Sequence, residues 1–241
     1  FWFHLRTGEI IVEEGHFPRT DVLSFTGQDK EWINHEWLPQ IIFFSVFKYG
    51  GFVSVSLLTA LAGTALFALV LWRKKSSWFL ILFLSLIAYN LQLFIVPRPQ
   101  VFAYLFLILL ILSLDWYYRT KNKNIIFVIP AILILWGNMH ASVILALPIL
   151  TIAVLLSKDR KLLLLASLAA IGTSIINPFG YKIYWHALQP FRFADAYHFL
   201  LETQPIYKFP SPVYLLLTHL TIIFATVWHF VKKHFSVLRP Y

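Results

Sequence analysis

The sequence predicts an all-α protein: a polytopic transmembrane helix bundle of about seven spans, with interfacial helices in a large first outer loop. Three observations predict it. Hydrophobic residues make up 59% of the 241 and charged residues only 13%, whereas a soluble domain is nearer half apolar and a quarter charged. The apolar residues come in long runs, giving a mean hydropathy of +0.71. Finally, twelve of the twenty Lys and Arg residues gather beside those runs.

These basic residues form four groups: Arg73, Lys74 and Lys75; Arg119, Lys121 and Lys123; Lys158, Arg160 and Lys161; and Lys232, Lys233 and Arg239. Basic residues flanking apolar spans mark the cytoplasmic side. The net charge of +9 is therefore read as membrane flanking charge, and no nucleic-acid partner is expected. With no Cys, disulfides and thiolate metal sites are excluded. Phe1 stands where an initiator Met would, and the chain reads as an internal piece of a longer one.

A spanning helix needs roughly 20 apolar residues to cross about 30 Å of hydrocarbon. The spans predicted are 51–72, 78–96, 101–118, 124–138, 140–157, 161–176 and 213–231. If the first runs from outside to inside, all four basic groups fall inside. Residues 1–50, the Pro97-Arg98-Pro99 turn, the turn from Gly137 to His140, and the outer loop 177–212 then fall outside. So do nine of the eleven carboxylates, all but Asp115 and Asp159. The run from Ile125 to Trp136 is short, roughly 18 Å of helix at 1.5 Å per residue, and contains Pro130. Either Asn138 and His140 sit below the outer membrane surface or the segment is a re-entrant hairpin. Both place these residues in a cavity, since irregular backbone at depth must be buried in protein or wetted.

Residues 1–50 form the outer loop. Phe1, Leu5 and Val12 share one helical face, which predicts an interfacial amphipathic helix ending near Gly15. Phe17-Pro18-Arg19-Thr20-Asp21 reads as a loop. A second short helix is expected from Asn34 through Phe47, broken at Gly50-Gly51. Residues 51–241 form the transmembrane bundle.

Certain stretches are familiar: Phe1-Trp2-Phe3-His4-Leu5-Arg6-Thr7-Gly8-Glu9, Pro18-Arg19-Thr20-Asp21 and Asn34-His35-Glu36-Trp37-Leu38. They are followed by Arg98-Pro99-Gln100 and Trp136-Gly137-Asn138-Met139-His140-Ala141. Over roughly residues 1–180 the chain resembles bacterial membrane proteins of the GT-C glycosyltransferase superfamily, in the RgtA/dolichyl-phosphate-mannose-mannosyltransferase-like branch. The resemblance implies a multi-pass protein of the inner (plasma) membrane. It implies transfer of a sugar from a polyprenyl-phosphate carrier to a glycan, lipid or protein acceptor on the non-cytoplasmic face. Such enzymes carry a key acidic residue where the first span meets the first outer loop, a point that would lie upstream of Phe1.

Such a transfer needs a carboxylate to accept the acceptor's proton and cationic groups to stabilise the departing phosphate. Glu36 and Asp21 are the candidate carboxylates. Asp21, following a proline turn, also suits a turn or capping role. His35 stands beside Glu36, and Trp32 and Trp37 flank the pair, placed to stack on a sugar ring. Arg98, pinned between two prolines, is the candidate phosphate ligand; snorkelling to lipid headgroups is the alternative. His140 and Asn138 are candidate substrate-binding residues, because polar groups at membrane depth are costly. An interhelical hydrogen bond is the other role open to them. Arg6 and His4 are weaker candidates. No metal is assigned: Pro39 occupies the place of the second His in H-E-x-x-H, and His4, His16, His35 and His140 could meet only if the fold gathers them. Asp195, His198 and Glu202 fall in the outer loop and could cover the site. The sole cofactor-like molecule expected is the polyprenyl-phosphate-linked sugar, as donor. The rival functions are a transporter or flippase for a lipid-linked or polar substrate, and a non-catalytic membrane scaffold of the same fold.

Overall fold

The computed structural model describes residues 1–28, 30–73 and 96–192. Among these the chain is all-helical with no β-strand, its one β-feature being an isolated bridge between Thr20 and Glu31. The helices are α1 (Trp2–Glu13), α2 (Trp37–Arg73), α3 (Gln100–Thr120), α4 (Ile125–Met139), α5 (Ala146–Leu156), α6 (Arg160–Ser174) and α7 (Lys182–Arg192). A 3-10 helix, Ala141–Leu145, joins α4 to α5. Residues 1–75 and 94–189 make one compact unit, to which the description below applies.

Two described helices, Trp37–Leu71 within α2 and α3, are long and apolar enough to cross a membrane. Only 28% and 33% of their most apolar windows are buried. Large apolar side chains stand outward along several helices, among them Leu61, Phe127, Leu156 and Leu168. The expected spans 124–138, 140–157 and 161–176 appear as shorter helices, and 78–96 and 213–231 lie outside the described residues, as do Asp195, His198 and Glu202.

α2 departs from the expected boundaries. It starts at Trp37 rather than Asn34, while its break falls at Gly51, within the expected Gly50-Gly51, where φ is +61° and ψ −154°. That left-handed conformation is open to Gly and costly for residues with a Cβ. The Ser54 hydroxyl lies 2.8 Å from the Val46 carbonyl and 2.7 Å from that of Gly51, and so bridges the two sides of the break. Asn34, one turn before the helix, is buried and donates to Gln40 Oε1 at 2.8 Å, which fixes how the chain enters α2.

The contact face of α1 is also not the one expected. Its buried residues are His4, Leu5, Thr7, Gly8, Ile10 and Ile11, whereas Val12 is exposed. α1 packs against α2, and the cause is Gly8: a Cβ there would lie 2.1 Å from the Gln40 carbonyl oxygen. Backbone meets backbone at that point, so the polar His4 and Thr7 turn inward. The main core lies among α3, α4, α5 and α6, around Leu110, Tyr117, Ile129, Leu133, Trp136 and Leu163. Small residues Ala166 and Ala170 let α6 close on this core, as small side chains do between membrane helices.

Candidate functional site

Glu36 is the centre of the candidate site. It ends the loop before α2, and its side chain is only 11% exposed. Three imidazoles reach it from three segments. His140 Nε2 lies 3.3 Å from Oε1, His35 Nε2 3.7 Å from Oε1, and His4 Nδ1 3.7 Å from Oε2. A fourth, His186 on α7, packs against His35 with ring centroids 4.3 Å apart and the planes tilted by 37°.

Each ring is brought there by local structure. His4 follows from the α1–α2 packing just described. His35 holds its ring near the Ile33 carbonyl, with Nδ1 at 3.4 Å. His140 interrupts the helical run between α4 and the 3-10 helix with extended backbone, φ −165° and ψ 142°. Its Nδ1 accepts the Ser142 amide N–H at 3.0 Å. The proton of a neutral His140 is therefore on Nε2, pointing at Glu36.

Burial lowers the pKa of His4 to about 4, with a smaller push from the Arg98 charge. Burial lowers His35 to about 4 as well. Burial alone would push the Glu36 carboxyl up, but the His140 hydrogen bond and the His35, His140 and His4 rings outweigh it and hold Glu36 below the usual carboxylate range. At neutral pH the centre is then an ionised carboxylate with His4 and His35 neutral. A carboxylate in this state can accept a proton, and neutral imidazoles beside it offer lone pairs to a cation.

This arrangement predicts a protein that loses stability in mild acid. An imidazole in the unfolded chain protonates near pH 6.5, but His4 and His35 in the fold do so only near 4. Between those values the unfolded chain binds more protons, so stability falls as the pH drops through the window, on the order of 3 kcal/mol per ring when complete. Melting temperature in detergent, with metal removed, is expected to fall steadily from pH 7 to 5. A His4→Asn, His35→Asn double variant is expected to lose most of that slope. A wild-type melting temperature that stays flat would contradict the burial of both rings.

Beside the cluster lies a cavity of 580 Å³ lined by Trp32, Trp185, Tyr181, His186, Gln189 and Lys182, with Glu31 and Ile33. Lys182 and Glu31 pair across it at 2.5 Å. His186 belongs to both cavity and cluster, and so joins them. No family model, curated protein or solved structure matches this chain.

The other sequence candidates divide. Trp32 lines the cavity, but Trp37 packs edge-on against Phe17 at 4.9 Å. Asp21 caps its own loop: Oδ1 accepts the amides of Leu23 and Ser24, both at 2.9 Å. Asn138 ties α4 to the turn after α6, donating to the carbonyls of Ile134 at 2.7 Å and Ile176 at 2.8 Å. Arg6 pairs with Glu9 at 2.6 Å on the exposed side of α1. Arg98 is exposed just before α3, near enough for its charge to act on His4. Of the four histidines named for a metal, His4, His35 and His140 gather and His16 does not; His16 is exposed beside Glu14. Sequence reasoning missed His186, Gln189 and Trp185. The spacing of Trp185, His186 and Gln189, one helical turn on α7, was the available signal.

Proposed function

We propose that this protein is an integral membrane glycosyltransferase of the GT-C type, moving a sugar from a polyprenyl-phosphate carrier to an acceptor on the non-cytoplasmic face. The observation that carries the reading is the buried Glu36 carboxylate, kept ionised among imidazoles beside an indole-lined cavity. In the reaction the acceptor hydroxyl attacks the anomeric carbon of the donor. The new bond to the acceptor oxygen forms as the bond to phosphate breaks, and the hydroxyl proton passes to Glu36. His140 donates Nε2–H to the carboxylate and holds its orientation. Trp32 and Trp185 offer flat apolar faces for a sugar ring, and Gln189 and Lys182 offer polar partners for its hydroxyls.

Arg98 is assigned to the departing phosphate, as a planar cation suited to bidentate contacts. The exposed apolar faces of α2 and α3 suit lipid contact, which a carrier with an isoprenoid tail requires. The first test is binding of a polyprenyl phosphate by the protein in detergent, read by native mass spectrometry with the neutral isoprenoid alcohol as control. Selective binding of the phosphate, lost in Arg98→Ala, is the expected result. Equal binding of phosphate and alcohol would remove the donor assignment.

A further inference from the structure

We propose that His35, Glu36 and His140 bind a divalent cation of the zinc class, through His35 Nε2, a Glu36 oxygen and His140 Nε2. The three ligand atoms lie within 4.8 Å of one another. Nitrogen and oxygen ligands stand about 2.1 Å from zinc, so two of them at the tetrahedral angle are about 3.4 Å apart. The two distances to Glu36 Oε1, 3.3 Å from His140 and 3.7 Å from His35, bracket that spacing. Two imidazoles and one carboxylate suit zinc, cobalt or manganese, whereas calcium and magnesium favour all-oxygen cages. Three protein ligands also leave a position open, as in catalytic rather than structural zinc sites.

Hydrogen bonding around the cluster points the same way. The Ile33 carbonyl can only accept, so the His35 proton sits on Nδ1 and the Nε2 lone pair faces Glu36 Oε1. Two acceptors thus confront each other at 3.7 Å, and a cation between them satisfies both. A metal-bound His fixed by a carbonyl at its other nitrogen is a common outer-shell arrangement. On the far side of the carboxylate, His4 is 3% exposed, and its Nδ1 is buried without a hydrogen-bond partner, 3.7 Å from Oε2. The cluster therefore holds a buried, unpartnered polar group aimed into it as well as a ligand set.

His140 is the weakest of the three ligands. Its Nδ1 accepts from the Ser142 amide, so coordination through Nε2 must move the Nε2 proton and give up that contact. His35 and Glu36 need no such change.

This inference does not depend on the transfer reaction, and its test uses neither donor nor acceptor. The full chain in detergent is stripped with chelator, dialysed against zinc and then against metal-free buffer, and its zinc content measured by mass spectrometry. About one zinc per chain is expected to remain. His35→Asn and Glu36→Gln are expected to lose it, and His16→Asn to keep it. His140→Asn, which removes the ligand that must also give up its Ser142 contact, is expected to weaken zinc retention less than His35→Asn or Glu36→Gln. Wild type that retains no zinc overturns the proposal, and so does equal retention in His35→Asn and Glu36→Gln. Cobalt(II) titration of the wild type decides the matter if those variants fail to fold. A ligand-field spectrum saturating at about one equivalent supports the site, and its absence overturns it.

Discussion

Glu36→Gln is expected to reduce sugar transfer by roughly 10²–10⁴-fold, the range that a positioned general base contributes. The substitution keeps the size and shape of the side chain and removes its capacity to take a proton. The fold is expected to survive it, because His140 Nε2–H can donate to the amide oxygen as it does to Oε1. Binding of the polyprenyl phosphate is expected to persist, since the phosphate is assigned to Arg98. Glu36→Asp keeps the charge but withdraws it by one methylene; a misplacement of about 1 Å is enough to cost on the order of 10²-fold. Both variants are assayed with and without added zinc, because Glu36 is also a proposed ligand. Wild type that works equally well after chelation assigns the loss to the missing base alone. Wild-type turnover in Glu36→Gln would sink the role of Glu36 and move the search for a base elsewhere.

Much of this was legible in the sequence, and the reasons differ by element. Long apolar runs announced the helices, because a 15- or 20-residue apolar stretch has few other folded forms. Gly50-Gly51 announced the break in α2, since only Gly readily takes the backbone found at Gly51. Glu36, His35 and His140 were each readable as candidates, the first two from their setting between tryptophans and the third from its place at the end of a helix too short to span. That they meet was not readable. Among the described residues three helices, α2, α3 and α4, lie between Glu36 and His140 in the chain, and the contact depends on how α4 packs against its neighbours. His4 was undervalued for a related reason. Periodicity assigned α1 an apolar face through Leu5 and Val12, but close backbone approach at Gly8 outweighs that pattern and turns His4 inward. Asp21 and Asn138 take the other role the sequence offered each of them. Asp21 Oδ1 accepts two amides of its own loop, and Asn138 donates to one carbonyl in its own helix and to one 38 residues away.

Gly8→Ala is expected to destabilise the protein by about 1–3 kcal/mol, the cost of overpacking a tight contact. Helix propensity alone predicts the opposite sign, because replacing Gly by Ala inside a helix gains roughly 0.5–1 kcal/mol. The sign therefore separates the two effects. At Gly8 the added methyl would meet the Gln40 carbonyl oxygen at 2.1 Å and the Phe44 Cβ at 2.7 Å, both part of or close to the α2 backbone. Neither is the far end of a flexible side chain, so α1 has to move. His4 lies one turn before Gly8, and Glu36 one turn before Gln40. The same step along both segments sets His4 against Glu36, and a displaced α1 lengthens the 3.7 Å between them. Transfer is expected to fall together with stability. Gly172→Ala in α6 is the control, since an added Cβ there meets nothing within 4 Å and propensity should raise the melting temperature. If Gly8→Ala instead stabilises the protein as Gly172→Ala does, α1 does not pack on α2 in this register, and His4 has no place beside Glu36.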